Sequence, residues 1–285
     1  MKYEVLNNQI IFDKNDDFDA ASILECGQLF RFFKTEIGYK VVSGKEVAEI
    51  TESEDKVIIS CTNAPYFVSY FDLETDYSSI KKDLSEYDFL IEPIKKGKGI
   101  RIVKGEAEEI IFQFIISQNN NIKRIQKIVE KLSLIGEKIN DEFNAFPTAK
   151  KLIQMPMEYF SSLGAGYRDK YLYETAKVLS ETSLEEKKKL NDKELYSWLV
   201  SLKGVGPKVA SCIMLFGFNR LSSFPVDTWI EKVYRKYLYV GEKTRPQISA
   251  YLEKKFGKLS GIVQQYLFYY IRSNFGHETI DASKK

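Results

Sequence analysis

The chain has 285 residues, of which 44% are hydrophobic and 29% charged, and its formal net charge is +2 at pH 7. These ordinary globular values exclude collagen, a long coiled coil and intrinsic disorder, and the length suits one large domain or two to three medium ones. The longest apolar stretches, such as residues 212–218, are far shorter than the roughly 18 residues of a membrane span. The N-terminus lacks the apolar segment of a secretory signal. We therefore expect a cytoplasmic protein without a membrane segment.

Reactive residue types are scarce. The one histidine is His277, and the three cysteines, Cys26, Cys61 and Cys212, are widely separated. This pattern leaves little room for Ser-His-Asp or Cys-His catalysis, a His-rich zinc site, an iron–sulfur cluster or a disulfide framework. We expect no metal and no cofactor, and an enzymatic reaction here would depend on Lys, Asp, Glu or Tyr.

The first quarter of the chain has the pattern of β-strands, and the rest has helical periodicity. Strands are predicted at 30–33, 39–42, 47–50 and 57–61, as an antiparallel meander with a short helix over 19–26. Helices are predicted at 78–86, 105–118, 121–136, 156–162, 168–181, 193–201, 207–218, 228–238, 245–256 and 260–272. The predicted fold class is α+β, with a small antiparallel sheet domain over 1–77 and a mostly helical body over 78–285.

The most informative segment runs from Leu202 to Ala210. Gly204 and Gly206, one residue apart, permit a tight turn between two predicted helices, and Pro207 suits the first turn of the second helix. Backbone amides at such a helix start bind phosphate, aided by the helix dipole. Gly-Val-Gly is also found in ordinary helical hairpins, so Lys208 has a chemical role only if a partner lies nearby.

Asp227 is the candidate partner for Lys208. A helix from Pro207 to Gly217 covers about 16 Å, and the loop of residues 218–226 extends far enough to return Asp227 to the start of that helix. The structural alternative is that Asp227 caps the helix that begins at Thr228. The two roles are compatible, because a cap also holds the carboxylate in place.

These residues, in this order, resemble the helix-hairpin-helix Gly/Pro/Asp superfamily of DNA repair glycosylases, and within it the 8-oxoguanine DNA glycosylases. The resemblance covers most of the chain. Besides the Lys208 and Asp227 motif, with its helix-hairpin-helix at about 193–218, it includes Cys-Gly-Gln-Leu-Phe-Arg at 26–31, the triple-Asn segment at 116–125, Gly-Tyr-Arg at 166–168 and a C-terminal helix that carries Gln264 and Phe268. The resemblance implies a sheet domain followed by two helical subdomains with the active site in the cleft between them.

The resemblance also implies a mechanism. The enzyme flips a damaged base out of the duplex, the amine of Lys208 attacks the sugar carbon, an imine forms as the base leaves, and β-elimination cuts the strand. Ionised Asp227 would stabilise the charge that develops on the sugar. The attack needs a neutral amine, and we expect burial in the cleft to favour that form of Lys208.

Further roles follow from matching positions. The Gly27 carbonyl would accept from the N7–H that oxidised guanine has and guanine lacks, Gln264 would read the Watson–Crick edge, and Cys212 and Phe268 would sandwich the ring. Without the resemblance, a place in the helix core is the simpler interpretation of Cys212 and Phe268.

The opposite strand, with cytosine preferred, would be read by Asn119, Arg124 and Arg168, with Tyr167 as a wedge. The phosphate contacts would come from Gly204, Val205 and Gly206.

The implied partner is therefore double-stranded DNA that contains oxidised guanine, bound by a monomer that would be nucleoid-associated in a bacterium. One departure from the family pattern is Trp229, which stands where eukaryotic members have His.

Two other functions remain open at this point. One is a monofunctional glycosylase for alkylated bases, which would need neither Lys208 nor the Gly27 and Gln264 contacts. The other is a non-catalytic helix-hairpin-helix module that only docks on DNA.

Overall fold

The computed structural model describes residues 1–275, and His277 lies outside them. Within that range the N-terminal part forms a six-stranded sheet in the order β1-β2-β6-β5-β4-β3, and every pairing is antiparallel. The strands are β1 (Glu4–Leu6), β2 (Gln9–Asp13), β3 (Phe32–Lys34), β4 (Gly38–Ser43), β5 (Glu46–Glu52) and β6 (Lys56–Cys61). The predicted meander is confirmed, and the hairpin of β1 and β2 extends it beyond the prediction.

The other regular elements of the described chain are helices. They are α1 (Ala20–Glu25), α2 (Ala64–Tyr70), α3 (Tyr77–Leu84), α4 (Asp88–Lys96), α5 (Ala107–Ser117), α6 (Ile122–Ser133), α7 (Ala149–Leu152), α8 (Met157–Ser162), α9 (Arg168–Ser180), α10 (Leu184–Lys188), α11 (Asp192–Ser201), α12 (Pro207–Gly217), α13 (Thr228–Val233), α14 (Arg245–Phe256) and α15 (Ser260–Phe275). A π-helical turn, Tyr234–Leu238, extends α13, and a 3₁₀ turn, Gly257–Leu259, joins α14 to α15. The α+β class is confirmed.

Polar residues begin many of these helices, because a side-chain oxygen satisfies an otherwise free backbone N–H in the first turn. Asp19 caps α1, Asn63 caps α2 and Asn121 caps α6. At α11 the cap is reciprocal, since Asn191 accepts from the Glu194 backbone and the Glu194 side chain accepts from the Asn191 backbone. Caps of this kind locate the helix starts from sequence alone.

Two sequence predictions are corrected. The strand predicted at 30–33 begins only at Phe32, because Phe30 turns into the helical core and its N–H donates to Gln113 Oε1 at 3.1 Å. Three helices were not predicted, namely α2, α4 and α7. The helix α4 carries Pro93 in its interior, a residue that argues against a helix, whereas α7 has only four residues.

Two hydrophobic clusters correspond to the two parts of the fold. The inner face of the sheet packs against α1 and α2 through fully buried residues that include Ile10, Ile50, Ile59 and Phe67. The second and larger cluster fills the helical body around the apolar helices α5 and α12. The division after residue 77 stays a prediction. None of the helices within residues 1–275 is long and apolar enough to cross a bilayer.

The two clusters meet at a buried charged contact. The Arg31 side chain is 1% exposed, and its Nε donates to Glu130 Oε1 at 2.9 Å while Nη2 donates to the Asn144 carbonyl at 2.8 Å. Glu109, on α5, accepts from the Gly44 N–H at 3.0 Å, in the turn between β4 and β5. Polar groups that leave water need such partners, so these bonds join the sheet to the helical body.

Candidate active site

The predicted hairpin is present between α11 and α12. Gly204 has φ +82°, and a Cβ at this position would lie 2.3 Å from the Tyr171 ring, so both the backbone conformation and the packing require glycine. Gly206 is the N-cap of α12, with φ −89° and no heavy atom within 4 Å of where its Cβ would be. Val205 is buried. The free N–H groups of α12 therefore begin beside an open position, as an anion site requires.

Lys208 lies in the first turn of α12. The residue as a whole is partly exposed, but its ammonium group is enclosed, 5.5 Å from the centroid of the Phe114 ring and hydrogen-bonded to Cys212, one turn along the same helix. Phe114 is itself stacked on Phe216, with ring centroids 5.5 Å apart. The aromatic wall excludes water from one side of the amine and leaves the cleft as its open side.

Asp227 is the N-cap of α13, as one of its two predicted roles requires. Its Oδ1 accepts from the N–H groups of Trp229 and Ile230, both at 2.9 Å. Within residues 1–275, Oδ2 has no hydrogen-bond partner. The cap thus fixes the carboxylate and leaves one oxygen available to a ligand in the cleft.

The protonation state of Lys208 differs from the expectation. Burial is the largest single influence and acts to lower the pKa of Lys208, but the interactions with Cys212 and Asp227 together exceed it, and the pKa is raised above the usual lysine value. Burial also raises the pKa of the Cys212 thiol, which stays neutral near pH 7. Burial thus favours the neutral amine, as expected, but it does not prevail, because a carboxylate and a polar sulfur accompany the amine.

Lys208 and Asp227 share a cavity of about 1180 Å³. Its lining includes Asn119 and Asn120 from the turn after α5, and Trp229 from the first turn of α13. The fold thus brings Lys208, the predicted nucleophile, and Asp227 to the same cleft as part of the triple-Asn segment.

The predicted base pocket comes from the loop after α1 and from α15. Gly27 has φ +89°, and a Cβ there would lie 3.7 Å from Cε1 of Phe268 and 3.5 Å from Nη1 of Arg272. Gln264 is buried one turn before Phe268, and its Oε1 accepts from Gln265. The fold therefore brings Gly27 against Phe268, while Cys212 is placed beside Lys208.

Gln28 holds the Gly27 loop in position, a role that the sequence reasoning did not assign. The side chain is fully buried, and its Nε2 donates to the carbonyls of Ile23 and Arg101 at 3.0 and 2.8 Å while Oε1 accepts from the Val103 N–H at 3.0 Å. A buried amide with these three bonds fixes the backbone on both sides of it. Its place directly after Gly27 is the only signal that the sequence offers.

The residues predicted to read the opposite strand lie around one turn. Asn119 is exposed with φ +44°, and Tyr167 is 54% exposed. Arg124 is exposed as well, and its Nη2 donates to the Gly164 carbonyl at 3.0 Å. Asn121 caps α6 by accepting from the Arg124 N–H, so the triple-Asn segment is also a polar turn.

Arg168 differs from its neighbours because it is only 3% exposed. Its Nε donates to the Gln118 carbonyl at 2.8 Å, Nη1 to Ala165 at 2.9 Å, and Nη2 to Asn119 at 3.0 Å and also to Gln118. The guanidinium stacks on Tyr167, 4.3 Å from the ring centroid. In the DNA-free protein Arg168 thus holds the Asn119 turn, and its contact with an opposite base stays a prediction.

Family models match the two parts of the chain. Residues 9–111 match the N-terminal domain of 8-oxoguanine DNA glycosylase, and residues 112–258 match the HhH-GPD superfamily of base excision DNA repair proteins. The boundary between the two models lies within α5, the helix that contacts the sheet through Glu109.

Individual relatives agree with the family models. The chain is 30% identical to an N-glycosylase/DNA lyase of Arabidopsis thaliana over 85% of this chain and 74% of that protein. It is 29% identical to an N-glycosylase/DNA lyase of Saccharomyces cerevisiae over 76% of this chain and 67% of that one. A crystal structure of Clostridium acetobutylicum 8-oxoguanine glycosylase/lyase, in complex with double-stranded DNA containing cytosine opposite 8-oxoguanine, superposes with a TM-score of 0.88. It is 37% identical, and the match covers 96% of this chain and 98% of that chain.

The hairpin with its lysine, the capped aspartate, the matches to both family models and the relatives together lead to one conclusion: the chain belongs to the 8-oxoguanine DNA glycosylase family of the HhH-GPD superfamily.

Proposed function

We propose that this protein is a bifunctional DNA glycosylase and abasic-site lyase of base excision repair, which removes 8-oxoguanine from double-stranded DNA, preferably opposite cytosine. The observation that carries the proposal is Lys208: a lysine at the start of α12, enclosed by Phe114 and within the electrostatic influence of Asp227. Family membership supports the substrate. Free Cys26, Cys61 and Cys212 fit a reducing compartment, so we place the activity in the cytoplasm.

The proposed reaction begins when the flipped nucleotide enters the cleft. The Lys208 nitrogen attacks C1′ of the sugar, the bond from C1′ to the base breaks, and its electron pair leaves with the base. Because the pKa of Lys208 is raised in the free protein, the ammonium must first lose a proton, and the Asp227 carboxylate is the acceptor that we propose. Once that proton has passed to the departing base, the ionised carboxylate stabilises positive charge on the sugar.

The second stage is the lyase reaction. The C1′–O4′ bond then breaks and its electron pair stays on O4′, which takes up a proton, so that the ring-opened sugar carries a protonated imine between C1′ and the Lys208 nitrogen. Removal of a proton from C2′ then breaks the bond from C3′ to its phosphate, and the strand is cut on the 3′ side. The free N–H groups at the start of α12, next to Gly206, are placed to bind a backbone phosphate. Gly27, Gln264, Phe268 and Cys212 are the proposed base pocket, and Asn119, Arg124, Tyr167 and Arg168 the proposed opposite-strand contacts.

Borohydride trapping tests the proposal directly. A labelled duplex with one 8-oxoguanine opposite cytosine is incubated with wild-type protein, with Lys208→Gln and with Lys203→Gln, a neighbouring exposed lysine in the same turn. We expect a covalent adduct with wild type and Lys203→Gln but not with Lys208→Gln, and none on undamaged guanine.

Other outcomes would identify the alternatives. Base release without an adduct would contradict the lysine mechanism and indicate a monofunctional glycosylase, which duplexes with alkylated bases would then reveal. Tight DNA binding without base release from any lesion would indicate a binding module. Neither alternative predicts a difference between the two lysine variants.

A further inference from the structure

Arg272 lies at the edge of the proposed base pocket. It follows Phe268 by one turn on α15, so the two side chains leave the same face of the helix. A Cβ on Gly27 would contact both of them, Nη1 of Arg272 at 3.5 Å and the Phe268 ring at 3.7 Å. The guanidinium therefore borders the position at which the Gly27 loop and the Phe268 ring face one another.

Within residues 1–275, the guanidinium of Arg272 makes a single hydrogen bond. Nη1 donates to the Glu25 carbonyl at 3.3 Å. Among the described residues, 1–275, no carboxylate lies within ion-pair distance of the guanidinium. The nearby Glu25 carboxylate is instead bound by Lys34, at 2.7 Å, and by the Tyr39 hydroxyl. Since a guanidinium has five N–H donors, Arg272 can donate to a ligand and keep its bond to Glu25.

The chemistry of the lesion supplies an acceptor at this point. In an 8-oxopurine the oxygen O8 is bonded to C8, the ring carbon next to N7. A base whose N7–H donates to the Gly27 carbonyl therefore carries O8 beside that contact. Guanine has C8–H there and cannot accept a hydrogen bond. A donor that borders Gly27 would thus recognise the second atom that distinguishes the lesion from guanine.

We propose that Arg272 is a specificity-determining residue that donates a hydrogen bond to the C8 oxygen of the flipped base. This inference rests on the proposed base pocket and adds a second contact to the one assigned to Gly27. The bond would be charge-assisted, and such bonds contribute more than neutral ones. Its loss should weaken lesion selection by about tenfold or more.

The test combines two bases with the wild-type protein and three variants. Duplexes carry 8-oxoguanine or 8-thioguanine opposite cytosine; both bases have N7–H, but sulfur is the weaker acceptor at C8. Single-turnover base release is measured for wild type and Arg272→Leu, with Arg272→Lys as the conservative variant. Because the cycle compares ratios, effects of the larger sulfur that do not involve residue 272 cancel when the effect of the mutation is calculated.

We expect Arg272→Leu to lower the rate on 8-oxoguanine by about tenfold or more and the rate on 8-thioguanine much less, and Arg272→Lys to restore part of the loss. Lys34→Ala, which removes a cation from the same Glu25 cluster but away from Gly27, should leave the ratio unchanged. Cleavage of a preformed abasic duplex needs no base contact and should be equal in all the proteins.

Three results would overturn the inference. Equal losses on both bases would mean that Arg272 only supports the Gly27 loop through the Glu25 carbonyl. Wild-type rates in Arg272→Leu, or an equal effect of Lys34→Ala, would contradict a contact with O8. Failure of the proposed function itself would look different, because wild-type protein would then release neither base.

Discussion

At Lys208, burial and charge act in opposite directions on one amine. The aromatic wall of Phe114 excludes water, whereas Cys212 and the Asp227 carboxylate stabilise the ammonium, and the pKa of Lys208 is raised as a result. The proposed nucleophile is therefore protonated at neutral pH. The pKa of Lys208 thus depends on its neighbours as well as on burial.

Replacement of Cys212 tests that dependence. In Cys212→Ala the ammonium loses a hydrogen-bond partner that raises the pKa of Lys208, so we expect the pKa to fall. Because the neutral amine reacts, imine formation should reach half its maximal rate at a lower pH than in wild type. Borohydride trapping on a preformed abasic duplex measures this without base recognition. Cys61→Ala, in the sheet, serves as the control, and an unchanged or higher midpoint in Cys212→Ala would contradict the assignment.

The helix-hairpin-helix is the element that places Lys208 at the cleft. The two glycines of the hairpin have different structural roles. Gly204 needs a left-handed backbone and close contact with the Tyr171 ring, while Gly206 has an ordinary φ and open space where a phosphate would approach. The first therefore concerns the fold of the turn, and the second concerns access to the start of α12.

The pair Gly204→Ala and Gly206→Ala separates these requirements. We expect Gly204→Ala to lower the free energy of unfolding by about 1–3 kcal/mol, since it strains the backbone and overlaps Tyr171. Gly206→Ala should leave stability nearly unchanged but weaken DNA binding, because the new methyl group lies at the proposed phosphate position. Urea unfolding and DNA-binding titrations measure the two effects. Equal stability of the two variants would show that the turn tolerates a side chain at 204.

At the scale of the whole molecule, the sheet and the helical body are joined through buried charges. Burial raises the pKa of Glu109 to about 7, although Arg31 and the Gly44 N–H favour its ionised form. The carboxyl group is 4% exposed and lies where the two parts meet. We therefore expect the contact between them to respond to pH in the neutral range.

This contact predicts how stability changes with pH. Glu109 holds its proton more tightly in the folded than in the unfolded protein, so its contribution is full below about pH 4.5 and is lost as the pH rises through about 7. The difference in unfolding free energy between wild type and Glu109→Gln should fall by up to about 3 kcal/mol over that range. Urea unfolding at several pH values measures it. Glu142→Gln, at an exposed ion pair, should behave as wild type, and a flat difference for Glu109→Gln would exclude the assignment.

Much of the fold of this protein could be predicted from its sequence, because the relevant signals are local. Strand alternation, helix periodicity and capping residues depend on neighbours a few positions apart, and they predicted the meander, most of the long helices and the cap at Asp227. The hairpin glycines and Lys208 form one short motif, so their proximity follows from the chain itself. Where local signals were weak, as at Pro93 in α4, the prediction failed.

The pKa values and the pocket contacts were decided by contacts between segments that are distant in the sequence. The protonation of Lys208 depends on Asp227 and on Phe114 from another helix. No local sequence pattern predicts the burial of the Lys208 amine or the charges around it. Likewise Arg272 reaches Gly27 across 245 positions of chain. The sequence by itself therefore determined most of the elements, the motif and the family. The tertiary structure decided the pKa values and the pocket contacts, because electrostatic energy depends on distance and burial in space.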